Sequence, residues 1–386
     1  MRTLNDTIRR LWPSLIGEPN KYVRRSATGR QNESLRGAWA SHYADRGMLL
    51  VTLAWLVLRY REWTRIELRP PILYEPRVWI GDLVFPVLPD PMIFYALLAV
   101  AGALTVVGLA RPRWFVARIA LAISILLVSA PGAGFGHVEH TAHLLFLAHI
   151  YSMFRPLGKP RDADEADSRA RGYSWFLLGL LAVYTASGLW KVVDLTIRDV
   201  LKPGLTWLDA RAMLATSIAS MRGVDLPMVV PQFVERTAWM FPVGYVALTL
   251  IFSASFIAAF RRPFLLIVVP TIVLFHILNA VVMYVLFVFT IFVAILVLSP
   301  YDLLVPRVRR HLVPVRSTHF DGRGHAARYE VRYENDDVDT FGGFYAYRER
   351  LRRRSTLAAA GLYYPGLGWL VSRILEFAHR KAGTTT

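Results

Sequence analysis

A chain of 386 residues with 54% hydrophobic side chains is too apolar for an ordinary soluble domain. The absence of cysteine excludes disulfides, thiolate metal ligands and thiol nucleophiles. The formal net charge of +17 is compatible with a nucleic-acid ligand, but the basic residues cluster at the ends of apolar segments and in the tails. We therefore expect a membrane protein with no nucleic-acid partner.

Apolar segments recur along the chain at lengths close to the roughly 20 residues that cross a bilayer. They lie near 47–60, 91–110, 114–131, 138–154, 173–193, 237–260, 263–283 and 284–299. The sequence therefore predicts an all-α, polytopic helical membrane bundle of about eight spans over 35–300. The count falls to seven if the last two segments form one broken helix. A basic cytoplasmic segment over 1–34 and a short basic cytoplasmic tail over 301–386 flank this domain.

The basic residues between the spans predict their orientation, because lysine and arginine collect on the cytoplasmic side. The basic segments are the N-terminus, 111–118, 155–171, Arg261–Arg262 and 307–310. The segment 131–137 and the turn at Tyr284 have no lysine or arginine, so we assign them to the outer side. Both termini are then cytoplasmic, and the arginine-rich, cysteine-free composition fits a bacterial inner membrane.

The outer segment 195–236 carries apolar residues at nearly helical spacing: Trp207, Met213, Leu214, Ile218 and Met221. The pattern predicts either an interfacial or re-entrant helix over the outer mouth or a plain amphipathic loop helix. The tail is different. We expect 301–354 to be polar and irregular with one short strand at Tyr329–Tyr333, followed by an amphipathic helix over 355–381.

Ionisable groups inside spans are costly and suggest function. Lys191, in AVYTASGLWKVVD, lies at the outer end of the fifth span. It could be an interface lysine whose amine reaches the headgroups. Alternatively, burial near the outer face favours the neutral amine that a general base requires.

Two groups of histidines also lie in the outer halves of their spans. His137, His140 and His143 begin the fourth span at spacings of three residues. They could be satisfied polar residues at a helix start or, less simply, haem or metal ligands, but no cysteine or carboxylate-rich helix completes a shell and we expect no metal. His276 and Asn279 share a face of the seventh span, where they could join two helices or polarise a substrate oxygen.

The shared depth of Lys191, His140 and His276 motivates one hypothesis. The lysine would act as a base, and a histidine and an amide would hold a substrate oxygen. An apolar, aromatic-rich cavity that opens to lipid would suit a lipophilic substrate such as a quinol.

The same segments resemble the vitamin K-dependent gamma-carboxylase family, also called HTTM-domain proteins. Val183-Tyr184, Gly188, Lys191 and Asp194 resemble that family's VY…G..K…D segment, and His140 precedes the similar run HLLFLAHIYSMF. The stretch from Phe275 to Ala280, followed by Phe287, is similar to the family's H..N…F segment.

This resemblance, over roughly 35–300, implies a membrane enzyme that deprotonates a reduced naphthoquinone, either vitamin K hydroquinone or menaquinol, and oxidises it with oxygen. It implies Lys191, His140 and His276 as catalytic residues and Asn279, Tyr184 and Trp190 as substrate-binding residues. The expected partners are membrane lipid, the quinol and a peptide or small-molecule acceptor. Animal members carry a large lumenal domain that helps bind the glutamate-rich substrate, and this chain has no counterpart, so carboxylation of protein glutamate is in doubt.

His319-Phe320-Asp321-Gly322 and the expected helices at Tyr345–Leu351 and Tyr363–Arg380 resemble a truncated DCC-type thiol oxidoreductase domain. That family's two cysteines would fall at Gly324 and Ala327, so thiol chemistry is excluded. Two other functions remain open at this point. One is a non-catalytic membrane protein, such as an immunity factor or ligand binder, and the other is a quinone-linked electron carrier with haem held by histidines.

Overall fold

The computed structural model describes residues 23–76, 79–134, 143–155, 158–201, 208–222, 235–283, 287–304, 313–322 and 326–355, together with 362, 370, 371 and 374. The described helices are α1 (Ala27–Ile66), α2 (Trp79–Val84), α3 (Pro91–Ala110), α4 (Phe115–Ala133), α5 (His143–Ser152), α6 (Ala163–Leu201), α7 (Ala210–Arg222), α8 (Met240–Ser253), α9 (Leu265–Met283), α10 (Val288–Leu296), α11 (Tyr301–Leu304) and α12 (Phe344–Arg354). Short 3₁₀ turns lie at Pro71–Leu73, Ser255–Ala259 and Arg262–Phe264.

Four helical stretches in the described part of the chain are long and apolar enough to cross a membrane. They are Pro91–Ala110, Phe115–Gly132, Ala163–Ile197 and Arg262–Met283. The molecule is therefore a mostly helical protein that fits a membrane bundle, but four spans meet this criterion instead of about eight.

The other four predicted spans lie on helices that fail the criterion for identifiable reasons. In the described part of the chain, α5, α8 and α10 have 10, 14 and 9 residues, shorter than the roughly 20 that a span requires. The helix α1 has 40 residues, but charged side chains such as Arg46, Arg59 and Glu62 flank its apolar centre.

Side-chain contacts show that loops rich in basic residues lie together at one end of the helical bundle. Arg113 lies 3.3 Å from Glu165, Ser34 donates to Asp167 at 3.1 Å, and Arg262 lies 3.2 Å from Asp302. We call this end, defined by Ser34, Arg113, Glu165, Arg262 and Asp302, the basic end. It contains the described parts of 111–118, 155–171 and Arg261–Arg262, which the sequence assigns to a single side.

We call the opposite end, marked by Glu67, Glu75, Tyr95 and Gly134 and by Val282 near the end of α9, the far end. Tyr95 donates to the Glu67 carboxylate at 3.1 Å, and the Glu75 amide donates to the Gly134 carbonyl at 2.7 Å. Here α7 confirms that the 195–236 segment contains a helix.

Small residues let α1 run close to its neighbours in the centre of the bundle. A side chain at Gly47 would collide with the Leu296 carbonyl of α10, so only glycine allows this approach. Towards the far end, Trp63 stacks on Phe94 of α3 with ring centroids 3.8 Å apart. These contacts hold α1 among the other helices over most of its length.

The tail contains a sheet that the sequence did not predict. Strands β1 (Val23–Arg24), β2 (Val315–Asp321), β3 (Arg328–Tyr333) and β4 (Val338–Gly342) pair in the antiparallel order β1-β4-β3-β2. The strand expected at Tyr329–Tyr333 is confirmed as β3, and the helix expected at Tyr345–Leu351 is confirmed as α12. The mostly helical chain fits the predicted all-α class, but the tail has three strands and a helix where one short strand in an irregular 301–354 was expected.

The alternation of buried and outward-facing side chains explains why β3 forms a strand of this sheet. Tyr329, Val331 and Tyr333 of β3 are buried, while the intervening arginines and glutamate point outward or are half-buried. The buried side chains pack on Phe341 and on Ala346 of α12. Because β1 pairs with β4, the start of α1 and the tail unit lie on the same side of the bundle.

The strands of the tail make antiparallel hairpins, so the described residues contain no βαβ unit of the kind that carries a thiol-redox motif. They therefore give the DCC resemblance no support. The amphipathic helix expected over 355–381 and the helix expected over 363–380 lie almost entirely outside the described residues.

Candidate functional site

Lys191 lies on the face of α6 that packs against α8. Its Nζ donates to the Ser187 hydroxyl at 2.6 Å and lies 5.9 Å from the ring centroid of Phe252. Tyr184 lies seven residues earlier, which is two helical turns, and so it shares this face. The half-buried amine therefore lies near the Phe252 ring of α8 and is hydrogen-bonded to the Ser187 hydroxyl, one turn earlier on its own helix.

Tyr184 joins this face of α6 to α9. Its phenolic oxygen lies 3.3 Å from Nε2 of His276, and both side chains are buried. Three aromatic rings surround the pair: Phe252 is 5.1 Å from Tyr184, and Phe275 and Phe287 are 5.0 Å and 4.8 Å from His276. We call Tyr184, Lys191, Phe252, His276 and Phe287 the lysine–histidine cluster.

Close helix packing fixes the cluster. A side chain at Gly188 would collide with the backbone nitrogen of Ser253, so glycine is required for α6 to approach the end of α8. Next to it, the Thr185 hydroxyl lies 3.0 Å from that of Ser255 and accepts from the Phe256 amide at 3.2 Å. These bonds satisfy backbone groups where α8 passes into the 3₁₀ turn at Ser255–Ala259.

The cluster lies towards the far end of the bundle. Both α6 and α9 start at the basic end, where the Arg262 guanidinium lies 6.0 Å from the Tyr173 ring. Tyr184 is 11 residues beyond Tyr173, or roughly 16 Å along the helix, and Lys191 is roughly 10 Å further. The sequence places Lys191 and His276 at a similar depth. Tyr184 connects them, because it shares a helix face with Lys191 and contacts His276.

The structure does not place the other predicted site residues in the lysine–histidine cluster. Asn279 is half-buried on α9, one turn beyond His276. Trp190 is 67% exposed on α6 and lies outside the cluster. His137 and His140 lie outside the described residues, and His143, which starts α5, is exposed. Within the described part of the chain, no group of three or more histidine, aspartate or glutamate side chains could hold a metal ion.

The helix α7 closes the far end beside the cluster. The Ser217 hydroxyl, fully buried, donates to the Val282 carbonyl at the end of α9 at 2.6 Å. Val282 is one turn beyond Asn279, so α7 covers the end of the helix that carries His276. This contact fits a helix over the mouth better than a free amphipathic loop helix.

Chemically, the cluster combines one amine, one phenol and one imidazole within apolar walls. The phenol can donate to an oxyanion, the imidazole can exchange a proton, and the amine can accept one when neutral. Nδ1 of His276 is buried, and this imidazole nitrogen has no hydrogen-bond partner among the described residues.

Sequence reasoning missed a second polar group inside the bundle. Asp45 of α1 accepts a hydrogen bond from Arg155, which follows α5, and lies 3.9 Å from Arg118 of α4. Nearby, the Thr52 hydroxyl lies 2.7 Å from Nε2 of His149. Arg118 was counted among the basic connections, although it sits in the first turn of an apolar helix. That position is the signal that could have revealed its burial.

Comparison of the chain with protein-family models, with curated proteins and with solved structures finds no match. The resemblance to the gamma-carboxylase family therefore stays a prediction that rests on the residues quoted for it.

Proposed function

We propose that the chain is an integral membrane enzyme that oxidises a lipophilic quinol with molecular oxygen, as vitamin K-dependent gamma-carboxylases do in their epoxidase step. One observation carries the proposal. Lys191 and Tyr184 of α6 both lie against the Phe252 ring, and the Tyr184 hydroxyl reaches His276 of α9, 92 residues later in the sequence.

In the proposed membrane arrangement, the four long helices α3, α4, α6 and α9 span the bilayer, whereas α1, α5, α8 and α10 cross it only together with the residues that flank their apolar parts. This arrangement has eight crossings, and an even number agrees with the pairing of β1 with β4, since this pairing puts the start of α1 and the tail on one side. With the basic end in the cytoplasm of a bacterial inner membrane, the cluster opens towards the outer leaflet.

In the proposed reaction, a naphthoquinol enters from the bilayer and Lys191 accepts the proton of one hydroxyl. The Lys191 amine must leave Ser187 to do so. The quinolate then reacts with O₂, and overall one quinol and one O₂ give one epoxide and one water. Tyr184 and His276 stabilise the oxyanion, and His140, Asn279 and Trp190 contact the substrate.

Carboxylation of a protein glutamate is not part of the proposal. The tail unit lies at the basic end, where Ser26 at the start of α1 donates to Asp339 of β4, whereas the cluster lies towards the far end. The described part of the tail is therefore not placed to present a peptide to Lys191.

A non-catalytic membrane protein is the second candidate. The observation in its favour is that the Lys191 amine already bonds to its own helix while Trp190 beside it is exposed. A lysine at a membrane interface behaves in this way without any catalytic role.

The deciding experiment is oxygen uptake by membranes supplied with a reduced naphthoquinol, with product analysis by mass spectrometry. Lys191→Ala is expected to lower turnover by about 10²–10⁴-fold because the base is lost. The matched control is Lys159→Ala, since Lys159 lies over the Trp39 ring, away from the cluster. Equal uptake by wild type and Lys191→Ala would support the non-catalytic candidate, and a strong visible absorption band from purified protein would support the haem alternative.

A further inference from the structure

A cavity of about 110 Å³ lies at the basic end, between the helical bundle and the tail sheet. One wall is a face of α1 that carries Gly29, Asn32, Glu33 and Arg36, which are three or four positions apart. The turn at 261–263, α11, strands of the tail sheet and α12 supply the other walls. A single buried water needs roughly 10–15 Å³, so the cavity has room for a group of several heavy atoms. It is accessible from outside, since 58% of the Glu33 side chain in its wall is exposed.

The walls of this cavity carry more positive than negative charge. Six guanidinium groups line it, against the four carboxylates of Glu33, Asp302, Asp339 and Glu349. The lining therefore has an excess of two positive charges. We call it the arginine cavity, after its six arginines: Arg25, Arg36, Arg261, Arg262, Arg352 and Arg353.

The carboxylates of the arginine cavity already have partners. The fourth acid of the lining, Asp339, accepts from Ser26 and from Tyr333. The other three pair with arginines of the same cavity: Glu33 with Arg25, Asp302 with Arg262 at 3.2 Å, and Glu349 with Arg352 at 2.6 Å.

Arg36 has no acidic partner in the described part of the chain. It makes no ion pair there, and its Nε is buried without a hydrogen-bond acceptor. Burial and then the positive charge of Arg352 lower the pKa of the Arg36 guanidinium, and the more distant Asp302 and Glu33 offset this only in part. A negatively charged group bound beside Arg36 would therefore neutralise a charge that the described residues leave unpaired.

We propose that the arginine cavity binds a phosphate group with close to two negative charges, as in a phosphate monoester or inorganic phosphate. Arg36 is its principal ligand, because a guanidinium presents donors in a planar fork that matches two phosphate oxygens. Arg353 is a second ligand. It lies 3.4 Å from Glu349, which Arg352 already holds at 2.6 Å, so it is the more weakly paired of the two. A phosphate monoester carries about −1.5 to −2 charges at pH 7, which matches the excess in the lining.

Two sources carry such a group at this position. In the proposed membrane arrangement, the arginine cavity lies at the cytoplasmic end of the spans, where basic pockets between helices bind the headgroups of anionic lipids. Soluble phosphate compounds of the cytoplasm reach the same opening. Only the lipid source rests on the proposed membrane arrangement, and neither source depends on the quinol chemistry.

Thermal unfolding of the full chain distinguishes the two sources. The protein is kept in a neutral detergent at fixed ionic strength and about pH 7.5, where a phosphate monoester is mostly dianionic, and unfolding is followed by tryptophan fluorescence. Potassium phosphate, with potassium chloride as its control, tests the soluble source. Short-chain phosphatidic acid, with diacylglycerol of the same chains as its control, tests the lipid source.

We expect a saturable rise in Tm of about 1–3 °C, above the control, with at least one of the two phosphate compounds. A rise with phosphatidic acid alone would support the lipid source, and a rise with potassium phosphate would support the soluble source. No rise above the control in either arm would overturn the proposal.

Matched variants place the effect in the arginine cavity. Arg36→Gln is expected to raise the concentration that gives half of the Tm rise by about tenfold or more, because a charge-assisted hydrogen bond is lost. Arg353→Gln is expected to raise it by about threefold. Arg354→Gln, at the next exposed position of α12 but outside the lining, is expected to leave it unchanged.

A half-saturating concentration that is unchanged in Arg36→Gln, or equal in Arg353→Gln and Arg354→Gln, would contradict the proposal. If Arg36→Gln fails to fold, the comparison of Arg353→Gln with Arg354→Gln decides alone, since both positions are exposed.

Discussion

The phenolic oxygen of Tyr184 lies 3.3 Å from Nε2 of His276, and this contact connects the helix of the candidate base to the helix of the candidate oxyanion donor. The two residues are 92 positions apart and belong to α6 and α9, which both start at the basic end. Lys191 lies two turns beyond Tyr184 on the same face. In the proposed reaction, the contact marks where a quinol oxygen would meet the phenol and the imidazole.

Removing the phenol tests that geometry. Tyr184→Phe keeps the ring against Phe252 but removes the only hydroxyl that reaches His276 among the described side chains. If the phenol stabilises an oxyanion, kcat for quinol oxidation falls about 10–10²-fold with little change in KM. Steady-state oxygen uptake measures both constants. Tyr60→Phe, at an exposed position of α1, is the matched control, and an equal kcat for both variants would contradict the role of Tyr184.

Helix spacing at the cluster is tested by Gly188→Ala. The added methyl group would collide with the Ser253 backbone nitrogen and lie 2.7 Å from its hydroxyl oxygen, so α6 and α8 must separate. We expect a loss of about 1–3 kcal/mol in stability and a larger loss of activity, because Lys191 moves away from Phe252. Thermal unfolding in detergent and oxygen uptake are the two measurements.

Gly102→Ala is the control for that substitution. Gly102 lies inside α3, and a side chain there meets nothing within 4 Å, so alanine should leave stability unchanged or raise it by about 0.5–1 kcal/mol. If both variants lost the same stability, the effect at Gly188 would reflect helix propensity or lipid contact instead of packing against α8.

Asp339 fastens the tail sheet to the start of α1. Its carboxylate, 3% exposed, accepts from the amide and hydroxyl of Ser26 at 2.7 and 2.8 Å and from the Tyr333 hydroxyl at 2.8 Å. Asp339→Asn replaces an acceptor oxygen by a donor, and we expect a loss of about 1–3 kcal/mol. Faster proteolysis between β4 and α12 would report the loosened unit.

The same protocol applied to Asp336→Asn serves as the control for Asp339→Asn. Asp336 is exposed, with φ of 62°, a conformation that asparagine adopts as readily as aspartate. Its exposed pair with Arg316 should contribute little. Equal proteolysis of the two variants would show that Asp339 does not fasten the sheet to α1.

The sequence predicted features that depend on local composition, such as apolar helices. It did not predict contacts between segments that are far apart along the chain. Apolar runs and arginine positions predicted which connections share an end of the bundle, and the depth of Lys191 and His276 followed from counting residues. The tail sheet was missed because its strands are short and rich in polar residues, and because β1 pairs Val23 with Phe341, more than 300 positions away. Asp45 and Arg155 were missed for the same reason, since neither position signals its partner 110 residues away.

The contact between the turn before β4 and the start of α1 should also depend on pH. Hydrogen bonds from the Thr28 side chain and then its backbone amide hold the pKa of Asp337 below its ordinary value of 3.8. A carboxyl whose pKa is lowered by folding stabilises the folded state above its unfolded pKa, and this contribution is lost as the pH falls through the lower, folded value. The contact should thus be intact above about pH 4 and weaken progressively below it.

Asp337→Asn isolates this contribution, because asparagine cannot titrate. The difference in Tm between wild type and Asp337→Asn should be constant from pH 7 to about pH 4 and shrink at lower pH as Asp337 becomes protonated. Tryptophan fluorescence during heating measures both proteins across this range. A difference that is largest in acid would mean that the charged form of Asp337 does not stabilise the contact with Thr28.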